Sequence, residues 1–182
     1  GVQTCALPIC VTSSSGKMTD SGSIWVFDSG ASNTVNNTSI LAPGSGNGRW
    51  FRPNYGDVAV TDGSTNTIFT VSVATNKVAS VDFLISVHAT DGTDYQMKSS
   101  RVTVDMANKG GTITSTVTHL AYSGALSTGT LTNNFYAVAS GGNSVLIKIA
   151  SDTSLTVTNA ADMHAEYRIN SILGTGTVSI TP

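Results

Sequence analysis

Along SVDFLISVHA, residues 80–89, the apolar Val81, Phe83, Ile85, Val87 and Ala89 alternate with Asp82, Leu84, Ser86 and His88. Successive side chains of a strand point to opposite faces, so this period of two predicts a strand with one buried face. The same rhythm runs through most of the chain from Asp57 onward. TIFTVSVA, 67–74, sets Ile68 apart from Phe69, Val71 and Val73, which share a face. Asp91-Gly92 and Lys109-Gly110-Gly111 supply turn chemistry on either side of YQMKSSRVTVDM, 95–106. TITSTVTHLAY, 112–122, then alternates Ile113, Ser115 and Val117 with threonines, and NFYAVAS, NSVLIKIA, SLTVTNA, MHAEYRINSIL and TVSITP repeat the pattern to the end. ADMHAEYRI, 161–169, is ambiguous in period, with Tyr167 and Ile169 favouring strand. Nine or ten strands spaced by Gly, Ser or Asn turns predict an all-β fold, an antiparallel β-sandwich that is jelly-roll-like.

The N-terminal third has a different texture. VTSSSGKMTDSG, 11–22, is small and polar and reads as a linker. SIWVF, 23–27, is a short apolar strand, and DSGASNTVNNTS, 28–39, is turn chemistry. APGSGNGRWFRPNYG, 42–56, brackets an aromatic strand around Trp50. Both tryptophans, with Phe27 and Phe51, fall here, so 23–56 is expected to form a small β module ahead of a sandwich over 57–182.

Composition sharpens this reading. Only 11% of the 182 residues are charged, and 24 Ser and 26 Thr fill the gap. Ten Asp stand against a single Glu, Glu166, so good surface helix formers are scarce. A net charge of −2 without any Lys/Arg run gives no footprint for nucleic acid. No apolar stretch approaches the roughly 20 residues of a membrane span.

Candidate chemistry is sparse. Asp28-Ser29-Gly30 after IWVF has the form of an aspartic protease active-site turn, where two close carboxylates share a proton. Ile172-Leu173-Gly174 would be the supporting second motif, and the local resemblance is to retropepsin-like proteases, which dimerise. The two motifs stand 145 residues apart, and D-S-G is also simply a good turn, so Asp28 is a catalytic candidate in this alternative only. His88, His119 and His164 fall on separate strands without ligand spacing, which assigns no metal; a hairpin turn accounts for Asp91 and Asp94 better than a calcium loop does, with Asp62 the other acid weighed there. A G-x-S-x-G elbow is missing, so no serine nucleophile is assigned. No cofactor is expected. Exposed aromatics on one sheet face, Tyr95, Tyr122 or Tyr136, would give a carbohydrate-binding β-sandwich module its platform.

Three stretches carry resemblances. GVQTCALPIC resembles the translation of a common short-read sequencing adapter over Gly1 to Ile9. On that reading 1–10 is non-native, the natural start lies upstream, Cys5 is not biological and Cys10 straddles the junction. SIWVFDSGASNTVNNTSILAPGSGNGRWFR, 23–52, resembles the strand–turn–GRW module near phage tail-fibre and tailspike domains, carried by Gly48-Arg49-Trp50, with Asn33, Asn36 and Asn37 where that module often has acids. VHATDGTDYQMKSSRVTVDMANKGGTIT, with ALSTGTLT and SDTSLTVT, resembles C-terminal β-domains of phage tail or fibre proteins. The resemblance implies a virion structural protein, self-associating as a homotrimer, contacting other virion proteins and a host-surface glycan, in attachment or as a structural cap. It carries over no catalytic residue.

Overall fold

The computed structural model describes residues 17–20, 23–28, 40–41, 49–51 and 54–179. They fall into two compact units, Gly1–Tyr55 and Gly56–Pro182.

In the first unit, β1 (Lys17–Asp20), β2 (Ser23–Asp28), β3 (Ile40–Leu41) and β4 (Arg49–Phe51) form one antiparallel sheet in the order β1-β2-β4-β3. The aromatic strand and SIWVF are direct neighbours, with Phe27 opposite Trp50 and Val26 opposite Phe51. Lys17–Asp20, inside the stretch expected as a linker, pairs with β2 instead. Residues 1–16, including the adapter-like segment, lie outside the described residues, as do Ser29–Ser39 and Gly48.

The second unit is two facing antiparallel sheets. The larger has the order β5-β12-β7-β8-β9, from β5 (Tyr55–Ala59), β12 (Met163–Gly174), β7 (Lys77–Thr90), β8 (Tyr95–Lys109) and β9 (Thr112–Leu126). The smaller has the order β10-β11-β6-β13, from β10 (Leu131–Ala139), β11 (Ser144–Thr153), β6 (Thr65–Val73) and β13 (Gly176–Ser179). Among the described residues the sole helical turn is a 3-10 turn, Ala160–Asp162, so the ambiguous stretch resolves as that turn followed by strand.

The alternation seen in the sequence becomes the core. On β7 Ala79, Val81, Phe83, Ile85, Val87 and Ala89 are buried and face the smaller sheet. Phe83 meets Phe69 edge-on at 5.1 Å and Phe135 at 6.5 Å, while Phe69 also lies 5.3 Å from Tyr167. One aromatic cluster thus joins β6, β7, β10 and β12 across the interlayer. Each such edge-to-face pair adds about 1 kcal/mol beyond the area it removes from water.

Ile68 departs from the strict alternation. It is buried beside Phe69, although consecutive strand residues should face opposite ways. The β11–β6 register shifts here, with Ile147 opposite Phe69 but Lys148 opposite Thr67. Ile68 is the extra residue of this irregularity, and the bulge turns a second apolar side chain inward.

Two buried amides replace apolar groups in the interlayer. Gln96 donates from Nε2 to the Thr128 carbonyl at 2.7 Å and accepts at Oε1 from the Thr153 hydroxyl at 2.6 Å. Asn108 donates to the Val73 carbonyl and to Asn143 Oδ1, each at 2.8 Å, and accepts from the Gly111 amide. Both tie the larger sheet to the smaller, and satisfied groups of this kind fix one strand pairing over its alternatives.

Candidate functional site

The outer face of the larger sheet carries the polar half of each alternating strand. Its chemistry is set by the β12–β7 register, which puts His164 opposite His88, Glu166 opposite Ser86 and Arg168 opposite Leu84. The two imidazoles stack with centroids 5.0 Å apart and planes 6° from parallel. Asp57 joins them from the edge strand β5. One ligating atom each from Asp57, His164 and Glu166 lies within 4.8 Å of the other two. All three residues, like His88, are half-buried.

Neither a hydrogen bond nor an ion pair engages any of these four side chains among the described residues. Burial pushes the Asp57 carboxyl above its ordinary value; His164 pulls it back, Glu166 adds to the rise and His88 opposes it. Burial lowers His88, the neighbouring His164 lowers it further, and Glu166 and Asp57 work the other way without prevailing. His88 is therefore a neutral imidazole at neutral pH, able to accept or donate at a ring nitrogen.

A second polar cluster lies farther along the same face. Asp82, only 8% exposed, accepts at Oδ2 from Arg101 Nε (2.8 Å) and the Thr103 hydroxyl (3.1 Å), and at Oδ1 from Asn170 Nδ2 (2.8 Å). Asn170 is the residue skipped at the β12–β7 register shift, and the bulge delivers its amide to Asp82. Three strands meet on one carboxylate. Burial alone would raise this carboxyl, but the hydrogen bonds from Arg101, Asn170 and Thr103, with the Arg101 charge, outweigh it and hold it below its usual range.

That depression has a sign. A folded-state value below the unfolded one, about 3.9, contributes stability that is complete above it and fades as pH falls through the folded value. Asp82→Asn is expected to flatten the acid limb of the stability curve below about pH 4. At neutral pH Asp82→Ala, which strands Asn170 and Thr103 without their acceptor, should cost roughly 1–3 kcal/mol. Urea midpoints from pH 3 to 7 check both; an unchanged acid limb in Asp82→Asn would remove Asp82 from the account.

The sequence-predicted candidates are distributed otherwise. Asp28 ends β2 opposite Arg49 in the first unit, whereas Ile172, Leu173 and Gly174 close β12 in the second. Ser29, Gly30, Asn36 and Asn37 lie outside the described residues. Of the proposed aromatic platform, Tyr95 (60% exposed) and Tyr122 (63%) stand on the larger sheet, but Tyr136 (44%) belongs to β10 of the smaller one. The three therefore do not share one sheet face. Tyr122, unpaired at the β8–β9 register shift, borders a groove of about 320 Å³ with Met97, Lys98, Gly124, Leu126 and Leu131.

Asp91 caps its own turn, whereas Asp62 reaches the distant strand β11. Asp91 Oδ1 accepts from the Thr93 and Asp94 amides, which hold its carboxyl low, and Asp62 Oδ1 accepts from the Thr153 amide. His119 packs at 5.4 Å over Phe135, apart from the other two histidines. The meeting of His88 with His164 was the feature the sequence concealed: it depends on pairing strands some 76 residues apart.

The edge of the larger sheet is unusual in another way. β9 is fifteen residues long, and its segment TITSTVTHLAYSGAL contains no Asp, Glu, Lys, Arg or Pro. Leu120, Tyr122 and Leu126 are 64%, 63% and 46% exposed along it. Tyr136 and Val138 are exposed on β10, one of the two edge strands of the smaller sheet.

No family model matches the chain, and no curated protein is similar to it. Two solved structures overlap it in part. The Acinetobacter baumannii phage AM24 tailspike protein aligns over 69% of this chain and 27% of its own, with 10% identity and a TM-score of 0.34. The Acinetobacter phage vB_ApiP_P1 tailspike protein aligns over 83% and 26%, with 16% identity and a TM-score of 0.33. The chain spans about a quarter of the length of either.

Proposed function

We infer that this chain is a bacteriophage virion structural protein, a fibre or spike domain that works in host attachment or particle structure as a homotrimer. The observation that carries the reading is β9. An edge strand offers a row of unpaired amides and carbonyls, and single-chain proteins protect such edges with charges, prolines or short length. This one has fifteen residues with neither charge nor proline, and its one irregularity is the bulge at Tyr122. With three large apolar side chains exposed along it, the strand suits burial against a second copy of the same chain. The GRW-bearing first unit and the Thr-rich strands, which resemble phage fibre modules, supply the setting. A host-surface glycan is the further partner that the resemblance implies; the groove beside Tyr122 lies on β9 and so falls within the self-association surface itself.

Light scattering on the full chain tests the reading. A trimer is expected, and Leu120→Lys with Leu126→Lys should convert it to monomer while its far-UV spectrum stays the same. A monomer at every concentration would overturn the assembly claim. A dimer would instead favour the aspartic protease alternative, which acid-pH peptidase assays of the chain and of Asp28→Asn then decide.

A further inference from the structure

On the outer face of the larger sheet, we propose that Asp57, His164 and Glu166 form a binding site for a divalent first-row transition metal ion, with zinc as its representative, that ties the edge strand β5 to β12. Three features lead there.

The first is the donor set. One imidazole and two carboxylates, brought from two strands, match the nitrogen and oxygen ligands that zinc and its neighbours accept. Calcium demands six to eight oxygens, and two carboxylates are a poor start for that shell.

The second is the geometry. Three atoms no more than 4.8 Å apart lie within about 2.8 Å of a common centre. Metal bonds of roughly 2.0–2.2 Å then need each side chain to close by about 0.6–0.8 Å, within the reach of side-chain rotations.

The third is the state of the groups. Half-buried carboxylates beside an imidazole would ordinarily hydrogen-bond or ion-pair, yet among the described residues these make neither, and they feel one another only through their charges. Two acids held this close repel each other, and a cation between them relieves the repulsion. His88 stacks face to face on His164, the liganding ring.

The site accounts for a weak point in the fold. β5 is a five-residue strand at one edge of the larger sheet, with β12 its strand neighbour among the described residues. A metal bond from Asp57 to two residues of β12 clamps it where few ladder bonds can.

Calorimetric titration of zinc into the full chain, with Cys5→Ser and Cys10→Ser in place to remove the thiols, tests this directly. One zinc per chain is expected at micromolar concentrations, with a raised melting midpoint. Glu166→Gln, Asp57→Asn and His164→Ala should each weaken binding by about 100-fold or more, while His119→Ala leaves it intact. The two isosteric variants guard against loss through misfolding. Zinc uptake that persists in His164→Ala and Glu166→Gln, no uptake at millimolar zinc, or a preference for calcium over zinc would each overturn the proposal. It stands or falls independently of oligomeric state.

Discussion

Phe83→Ala is expected to destabilise the second unit by about 3–5 kcal/mol. The side chain is wholly buried at the middle of the longest run of alternation, with Phe69 edge-on to it at 5.1 Å and Phe135 at 6.5 Å. Truncation removes the transfer free energy of a benzyl group and leaves a cavity bounded by two further rings. Those rings come from the opposite sheet, whose backbone is held by its own ladder bonds, so the cavity cannot collapse. The melting midpoint should fall on the order of 10 °C, read by far-UV circular dichroism. Phe83→Leu retains more apolar volume and should cost roughly half as much. Val78→Thr, at a side chain 63% exposed on β7 and outside the β9 seam, should fall within about 0.5 kcal/mol of the parent. Equal losses for Phe83→Ala and Val78→Thr would show that the interlayer is not where the folding free energy resides.

How far the sequence announces this architecture depends on the range of the interaction. Alternation within one strand is local, and it placed Val81, Phe83, Ile85, Val87 and Ala89 on the buried face of β7. The all-β antiparallel sandwich followed from the same pattern. Bulges were not legible: nothing in TIFTVSVA says that Ile68 will turn inward beside Phe69, because that depends on how β11 registers against it. The same holds for Asn170, whose amide reaches Asp82 only because β12 skips it. Site residues were the least legible of all. His88 and His164 looked isolated on separate strands, and the absence of i, i+2 spacing argued against a cluster. Cross-strand pairing makes neighbours without any such spacing, and register is a property of two strands together. The exposure of β9 was hidden for a related reason. Its composition already lacked charge, but only the strand order shows that it is an edge.

The strand that brings Asp57 to the site depends on its glycine. Gly56 is buried, and a Cβ built there would run into the ring of Tyr167, which is itself only 3% exposed. The ring cannot move aside, because Phe69 lies 5.3 Å from it in the interlayer. Gly56→Ala should therefore cost about 3 kcal/mol through overpacking, far more than the usual exchange of glycine for alanine in a strand. Burial raises the Tyr167 hydroxyl above its ordinary range, and the Asp57 charge adds to this, so the phenol stays neutral. A double-mutant cycle isolates the contact. Tyr167→Leu alone should cost about 2–4 kcal/mol through its cavity, but in that background Gly56→Ala should cost under about 1 kcal/mol, a coupling of roughly 2 kcal/mol. If Gly56→Ala costs the same in both backgrounds, backbone freedom rather than the aromatic ring is what glycine provides here. If the coupling is found, a single missing methyl group on β5 is what lets the edge strand lie flat against β12, with Asp57 facing His164 and Glu166 on the other side of the sheet.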